Sequence, residues 1–140
     1  MLIKFKYQHD LDELRGYSNV TLLHNLSTSE MISFYDSIDM LIIPSRADPL
    51  PTVAIEAMAR KVLVIGNNID GIPELVGDKD LLFNGLDAEN VLRKIQQISR
   101  WNSQEIEARV QRQSKRAKQL FSSYEKVRYI NNEFEKCLSE

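Results

Sequence analysis

Residues 40–65 read MLIIPSRADPLPTVAIEAMARKVLVI. Both ends of this stretch, residues 40–43 and 62–65, are short and apolar throughout, which is typical of strands covered on both faces. Between them a polar loop with prolines, residues 45–51, ends where a helix is predicted over residues 53–60. A strand, a helix and a second buried strand form a crossover connection, so we expect the two strands to lie parallel in one sheet.

The chain before this unit also alternates between strand and helix patterns. Residues 2–7 alternate apolar and charged side chains, the pattern of a strand with one face in water. Residues 20–23 form a second short run that is rich in strand-forming side chains. Ser27 and Glu30 then have the spacing of a capping box, which predicts the start of a helix.

The chain after this unit changes from strand to helix. Residues 71–75 predict a short helix with Pro73 in its first turn, and residues 81–83 predict a last brief strand. From Asp87 onward the apolar residues recur at helical spacing, so the C-terminal third is predicted to be helical. We expect one break near residues 121–124, where one helix ends and another begins.

The order of these elements predicts an α/β protein. We expect a Rossmann-like, doubly wound and mostly parallel sheet with helices on both faces, followed by a helical C-terminal third. Ligands of such sheets bind beyond the carboxyl ends of the strands, so the predicted site is the loop and helix start at residues 44–56. At 140 residues the chain is long enough for one domain with a buried core.

Composition and charge exclude several classes of protein. Lys plus Arg is 18 and Asp plus Glu is 20, a net charge of −2, which is too balanced to indicate a nucleic-acid partner. The apolar runs are far shorter than the roughly 20 residues that cross a bilayer, and no signal-peptide pattern opens the chain. Cys137 is a single cysteine, which agrees with a reducing compartment and predicts a cytoplasmic protein.

The most specific pattern lies in residues 44–59, PSRADPLPTVAIEAMA. Asp48 and Glu56 are two acidic residues with seven positions between them, in a frame close to P-S-x-x-E-G-L-P-x-x-x-x-E-A-M-A. This frame resembles the donor-site motif of retaining GT-B glycosyltransferases (glycosyl transferases group 1, family 4-like), which have two facing Rossmann-like domains. Residues 70–76, DGIPELV, are similar to the G-G-I-P-E-L-V segment of that family, and residues 19–23 to its strand beside the base pocket.

The resemblance implies a domain that binds a nucleoside diphosphate sugar, with uridine or guanosine as the base, for hexosyl transfer with retention. Glu56 would accept hydrogen bonds from the adjacent 2′ and 3′ hydroxyls of the ribose, which suits a carboxylate with two acceptor oxygens. Asp48 would be the catalytic residue, in contact with hexose hydroxyls or with the positive charge that develops as the glycosidic bond breaks. Neither a metal nor a further cofactor is implied.

Further donor-binding positions follow from the same motif. The backbone N–H groups of Leu50 and Thr52 would face donor oxygens at the positive end of the helix dipole, with Pro51 between them. Arg46 would reach a phosphate or remain solvated. Glu74 would be a ligand contact or a first-turn charge of its own helix. The sequence leaves both of these alternatives open.

The chain departs from the family pattern at three places. Pro49 replaces a glycine and removes an N–H donor that would face the sugar. Asp48 is one methylene shorter than the usual glutamate. Residues 60–63, RKVL, stand where the family has a glycine and then a proline, so the turn into the next strand is less tightly specified. These departures weaken the expected donor affinity and leave the expected fold intact.

The resemblance also implies partners. It places an acceptor-binding domain, the first β-α unit of the donor domain and an Arg/Lys pair for the leaving diphosphate before residue 2, so we expect the isolated chain to lack full catalytic machinery. Residues 1–123 would form the nucleotide-sugar-binding domain. Residues 124–140 would form a helix that crosses toward the missing acceptor domain or self-associates through its apolar stripe. The full-length enzyme would be cytoplasmic or peripheral to the inner face of the membrane.

Two other functions fit parts of the pattern. A non-catalytic module of the same fold would bind a nucleotide sugar or assemble through the helical C-terminal third. A flavodoxin-like signalling domain shares the alternation of strands and helices. That reading does not explain why Asp48, Glu56 and the flanking motif residues occur together, and the sequence lacks the acidic cluster that such a domain needs after its first strand.

Overall fold

The structure is a computed structural model that describes residues 17–138, with side chains up to residue 122. Its elements, in chain order, are α1 (Thr28–Asp36), β1 (Met40–Ile43), α2 (Thr52–Ala59), β2 (Leu63–Asn67), α3 (Ile72–Val76), β3 (Leu82–Phe83), α4 (Ala88–Ile98) and α5 (Ser103–Leu138). A 3₁₀ turn precedes β3. The strand predicted over residues 2–7 lies outside the described residues.

The three strands form one parallel sheet in the order β1-β2-β3. Met40 of β1 pairs with Leu63 of β2, and Gly66 of β2 pairs with Leu82 of β3. All five residues of β2 are buried, as expected of a central strand with both faces covered. The predicted α/β, Rossmann-like fold with a parallel sheet is confirmed.

The core lies where α2, α3 and α5 pack against β2. It is mostly aliphatic, and its fully buried members include Ala54, Ala57, Met58, Val64, Ile65, Ile72 and Leu81. The small side chains of α2 let this helix approach the sheet and α5 closely, which is what a densely packed interior requires. Within residues 17–138, no helix combines the length and the apolar character needed to cross a bilayer.

The strand predicted over residues 20–23 is wrong. The backbone there pairs with no strand among residues 17–138, and Leu23 remains 41% exposed. Strand-forming side chains favour a strand only where a neighbouring strand and an apolar layer are available. This segment has neither in the described structure, so it is an irregular connection to α1.

Helix α1 begins at the predicted capping box. Ser27 Oγ accepts a hydrogen bond from the Glu30 N–H (3.4 Å), and Glu30 Oε2 accepts one from the Ser27 N–H (2.7 Å). Farther along, the helix buries Tyr35 in the core. At its end, Asp36 accepts a hydrogen bond from Arg60 Nε (2.7 Å), and this contact lowers the pKa of the Asp36 carboxyl. The helix is thereby connected to the C-terminal end of α2.

Helix α2 ends in a Schellman motif at the turn into β2. The Lys61 N–H donates to the Met58 carbonyl (3.1 Å), and the Val62 N–H donates to the Ala57 carbonyl (3.0 Å). Lys61 has a left-handed φ of 64°, a conformation that glycine adopts without the steric cost that a lysine Cβ carries. The Schellman turn therefore forms here with a lysine at the left-handed position that glycine usually occupies.

Helix α5 is continuous, so the break predicted near residues 121–124 is wrong. No glycine or proline follows Gly85 in the sequence, and the two serines of that segment lower helix propensity only slightly. The helix therefore has no local reason to end there. The predicted division of the chain at residue 123 stays a prediction.

A glutamine of α5 completes the hydrogen bonding of the central strand. Gln113 is 2% exposed; its Oε1 accepts from the Val64 N–H (2.9 Å) and its Nε2 donates to the Val64 carbonyl (2.8 Å). Val64 precedes the first pair between β2 and β3, which is at Gly66, so β3 offers it no partner. Because buried backbone groups need hydrogen bonds, Gln113 takes the place of a strand and fixes α5 on the sheet.

Replacing Gln113 with alanine should lower the free energy of unfolding by about 2–4 kcal/mol, because two buried backbone groups lose their partners and a small cavity opens. Urea denaturation measures the change. The control is Gln111→Ala, because Gln111 is exposed on the same helix and bonds Glu107 one turn away. We expect a change below about 0.5 kcal/mol for it. Equal effects of the two variants would contradict the role assigned to Gln113.

Candidate functional site

The candidate site lies at the edge of the sheet where the parallel strands end. Asn67, the last residue of β2, connects the loops there. Its Nδ2 donates to the Ser45 carbonyl (3.0 Å), and its Oδ1 accepts from the Gly85 N–H (3.0 Å). Asn67 is 5% exposed, so these hydrogen bonds are shielded from water and hold the loops after β1 and β3 to the sheet. Sequence reasoning missed this residue, although a polar residue at the end of an apolar strand was an available signal.

Two hydrogen bonds hold Asp48 in the loop after β1. The Asp48 N–H donates to Asp70 Oδ2 (3.0 Å), and Asp48 Oδ1 accepts from the Leu50 N–H (3.1 Å). Asp70 belongs to the loop after β2 and has a left-handed φ of 49°. The Leu50 N–H, which was predicted to face donor oxygens, is thus engaged by Asp48. The other carboxylate oxygen of Asp48, Oδ2, has no hydrogen-bond partner among the described residues.

The same two loops touch at Gly71. A Cβ added to Gly71 would collide with the Pro49 carbonyl oxygen. Its φ of −85° is open to any residue, so space and not backbone conformation demands glycine here. The proline that departs from the family motif therefore packs against the glycine that precedes α3. The loop after β2 supports the loop after β1 at both Asp48 and Pro49.

Gly71→Ala should disturb this contact without straining the backbone. We expect a loss of about 1–3 kcal/mol in the free energy of unfolding, because the added methyl group overlaps a backbone atom. Hydrogen–deuterium exchange should also speed up at the amides of residues 45–53. The control is Gly85→Ala, which strains the backbone without a collision. Alanine at its φ of 75° costs about 1–2 kcal/mol, but the added Cβ would meet no atom nearer than 4.0 Å. Unchanged exchange at residues 45–53 in Gly71→Ala would show that the contact does not hold the loop.

Glu56 lies on the exposed side of a helix that is otherwise largely buried. Its Oε2 accepts a hydrogen bond from the Tyr35 hydroxyl of α1 (2.8 Å). Tyr35 is 3% exposed. Burial, the hydrogen bond to Glu56 and the negative charge of Glu56 all raise the pKa of the Tyr35 hydroxyl above its usual range. Nothing in the sequence indicated that Tyr35 reaches Glu56.

The first turn of α2 presents a backbone donor at the N-terminal end of the helix that carries Glu56. Thr52 is the first residue of the helix, and the buried Pro51 at the N-cap offers no side-chain acceptor to the helix start. The Thr52 N–H has no hydrogen-bond partner among the described residues. The side chains of Thr52 and Glu56 are four residues apart and share one face of the helix, whereas the Thr52 N–H points toward the N-terminal end of the helix. An anion at this end of the helix would meet the positive end of the helix dipole.

The two remaining predicted residues are less closely tied to this face. Arg46 is exposed in the loop after β1 and makes no hydrogen bond or ion pair within the described residues. Glu74 is exposed in the first turn of α3, where its carboxylate is a favourable first-turn charge. Its backbone carbonyl accepts a hydrogen bond from the Arg116 guanidinium of α5. Arg116 also donates to the Leu75 carbonyl (3.1 Å), which fixes the end of α3.

An open groove of about 390 Å³ runs along α1, and none of the predicted site residues lines it. Its walls are formed by Leu23, Leu26, Ser29, Glu30, Ser33, Phe34 and Ser37. Within the described side chains, no three His, Cys, Asp or Glu residues converge as a group that could hold a metal ion.

Residues 4–120 match the sequence profile of the family described as "Glycosyl transferases group 1". The chain belongs to this family. The match extends over both loops of the candidate site and most of the sheet, so the resemblance drawn from residues 44–59 and 70–76 is confirmed at the level of the family and of a GT-B-type domain.

Individual relatives agree with this assignment. The chain is 33% identical over 86 residues to an "Uncharacterized 41.2 kDa protein in cps region" of Klebsiella pneumoniae, covering 60% of this chain and 24% of that protein. It is 28% identical over 97 residues to "Sulfoquinovosyl transferase SQD2" of Arabidopsis thaliana, covering 66% and 19%. It is 26% identical over 102 residues to "Serotype-specific mannosyltransferase WbdA" of Escherichia coli, covering 66% and 12%. The chain thus spans a quarter or less of the length of these relatives.

Proposed function

We propose that this chain is the donor-binding domain of a retaining glycosyltransferase and that it binds a nucleoside diphosphate sugar. One observation carries the proposal: the Glu56 carboxylate stands on the exposed face of α2 and accepts a hydrogen bond from Tyr35 (2.8 Å), on a helix whose first N–H, that of Thr52, has no partner among the described residues. Membership of the glycosyl transferase family supports it. The names of two relatives, a sulfoquinovosyl transferase and a mannosyltransferase, agree with sugar transfer as the reaction class.

In this proposal the donor lies across the first turn of α2. Glu56 accepts hydrogen bonds from the 2′ and 3′ hydroxyls of the ribose, because its two oxygens match two neighbouring alcohols. The diphosphate lies toward the start of the helix, where the Thr52 N–H and the helix dipole favour negative charge. Arg46, exposed in the adjoining loop, is the cation nearest in sequence to this position.

Asp48 is the residue that we assign to the transferred hexose. Its Oδ1 is held by the Leu50 N–H, whereas Oδ2 is available to a sugar hydroxyl or to positive charge at the anomeric carbon as the glycosidic bond breaks. The hydrogen bond to Asp70 holds the backbone of Asp48, and the bond from the Leu50 N–H holds its carboxylate, before the donor arrives. Acceptor recognition belongs, by the family resemblance, to a domain outside this sequence, so donor binding is the activity to measure.

Isothermal titration calorimetry with UDP and with GDP tests the proposal. We expect weak binding of one diphosphate to the unmodified chain and a loss of at least about tenfold in Glu56→Ala, because hydrogen bonds to a charged group contribute about 1.5–3 kcal/mol. Glu56→Gln should retain part of the affinity, because the amide offers one acceptor oxygen in the same place. The matched control is Glu107→Ala, which removes an exposed carboxylate on α5 and should leave the affinity unchanged.

Two outcomes contradict this assignment. Affinity in Glu56→Ala equal to that of the unmodified chain would remove Glu56 from the site. Failure of both diphosphates to bind the folded chain at millimolar concentration would remove the donor site as a whole and favour an assembly module of the same fold.

A further inference from the structure

We propose that Tyr35 is a positioning residue for donor recognition, whose hydroxyl holds the Glu56 carboxylate in the orientation that meets two neighbouring hydroxyls of one ribose. This inference rests on the proposed function, because it concerns how Glu56 recognises the donor. The juxtaposition that carries it joins α1 to α2, two helices that are separated in the chain by β1 and the loop of Asp48.

The two partners differ in burial. Tyr35 is 3% exposed, and its ring packs against Phe34 with centroids 5.6 Å apart. This close packing restricts the position of the ring and of its hydroxyl. Glu56 is exposed on its helix. A solvated glutamate side chain has many rotamers, and a ligand that selects one of them loses the corresponding entropy. The hydrogen bond from Tyr35 (2.8 Å) selects a rotamer before the ligand binds.

The geometry leaves enough acceptor capacity for a ribose. A carboxylate offers about four lone-pair sites, two on each oxygen. Tyr35 uses one of them on Oε2, which leaves Oε1 and the second lone pair of Oε2 for the two hydroxyls. The tyrosine therefore orients the carboxylate without occupying the sites that the ligand needs.

Tyr35 remains a donor under all ordinary conditions. Burial and the neighbouring carboxylate raise the pKa of its hydroxyl, so the proton stays on the phenol and points to Glu56. A buried tyrosine hydroxyl needs a partner in any case, and a backbone carbonyl would satisfy it equally well. Here the partner is the carboxylate of the sequence motif, so the hydrogen bond couples the core to the site.

The experiment compares ribose selectivity in four proteins: the unmodified chain, Tyr35→Phe, Glu56→Ala and the double variant. Each is titrated calorimetrically with UDP and with 2′,3′-dideoxyuridine diphosphate, or with the guanosine pair if GDP is the better ligand. Tyr35→Phe should lower the affinity for the ribonucleotide by about threefold to tenfold and leave the affinity for the dideoxynucleotide unchanged. In the Glu56→Ala background the same substitution should have no further effect on selectivity, because the two residues act as one unit.

The controls separate positioning from folding. Tyr17→Phe removes the hydroxyl of a tyrosine that is 60% exposed, and it should keep both affinities. Thermal unfolding reports whether Tyr35→Phe is folded at the titration temperature. If it is not, Glu56→Asp replaces it, because the shorter side chain withdraws the carboxylate from Tyr35 while keeping its charge; it should lose ribose selectivity.

The outcomes distinguish this inference from the proposed function. Selectivity that is lost in Glu56→Ala but unchanged in Tyr35→Phe would overturn the role of Tyr35 alone. An equal loss of both affinities in Tyr35→Phe would also overturn it, because that pattern indicates a structural role. Full selectivity in Glu56→Asp would count against the positioning contact. Unchanged binding in Glu56→Ala, or no binding of any diphosphate, would overturn the proposed function and this inference together.

Discussion

The burial of α2 is the constraint on which the rest of the structure depends. Ala54 and Ala57 have no exposed surface because β2 and α5 lie directly against the helix. Larger side chains at these positions would separate the helix from the sheet, since a packed interior accommodates extra volume poorly. With two sides of α2 closed in this way, Glu56 lies on the exposed side of the helix, where it bonds Tyr35 of α1.

The loops at that edge are ordered by contacts with one another. Asn67 joins the loops after β1 and β3, while the loop after β2 supports Asp48 through Asp70 and Pro49 through Gly71. Pro49 lies against Gly71, and Asp70, the residue before that glycine, accepts a hydrogen bond from Asp48, the residue before the proline. Proline removes an N–H and fixes φ, while the Asp70 carboxylate takes up the Asp48 N–H. Both contacts therefore hold the loop after β1 against the loop after β2.

Local patterns predicted the elements correctly where the signal was complete within a few residues. The apolar run at residues 40–43 is a strand, and the capping box at Ser27 starts a helix. Two predictions failed for the same reason, which is that a local preference was given more weight than its surroundings. Residues 20–23 have strand-forming side chains without a neighbouring strand, and residues 121–124 have serines in a helix that nothing interrupts.

The amino-acid sequence alone determined the alternation of strands and helices and the acidic pair at Asp48 and Glu56. The residues that flank this pair also indicated the family. These features are local, and each is complete within about one element. Three contacts came from the folded chain: Tyr35 with Glu56, Asp48 with Asp70, and Gln113 with Val64. Each joins elements that are distant in the chain, and its geometry depends on how those elements pack. Hydrophobic periodicity predicts which face of a helix is buried. It does not predict which polar atom of a neighbouring element that face will contact.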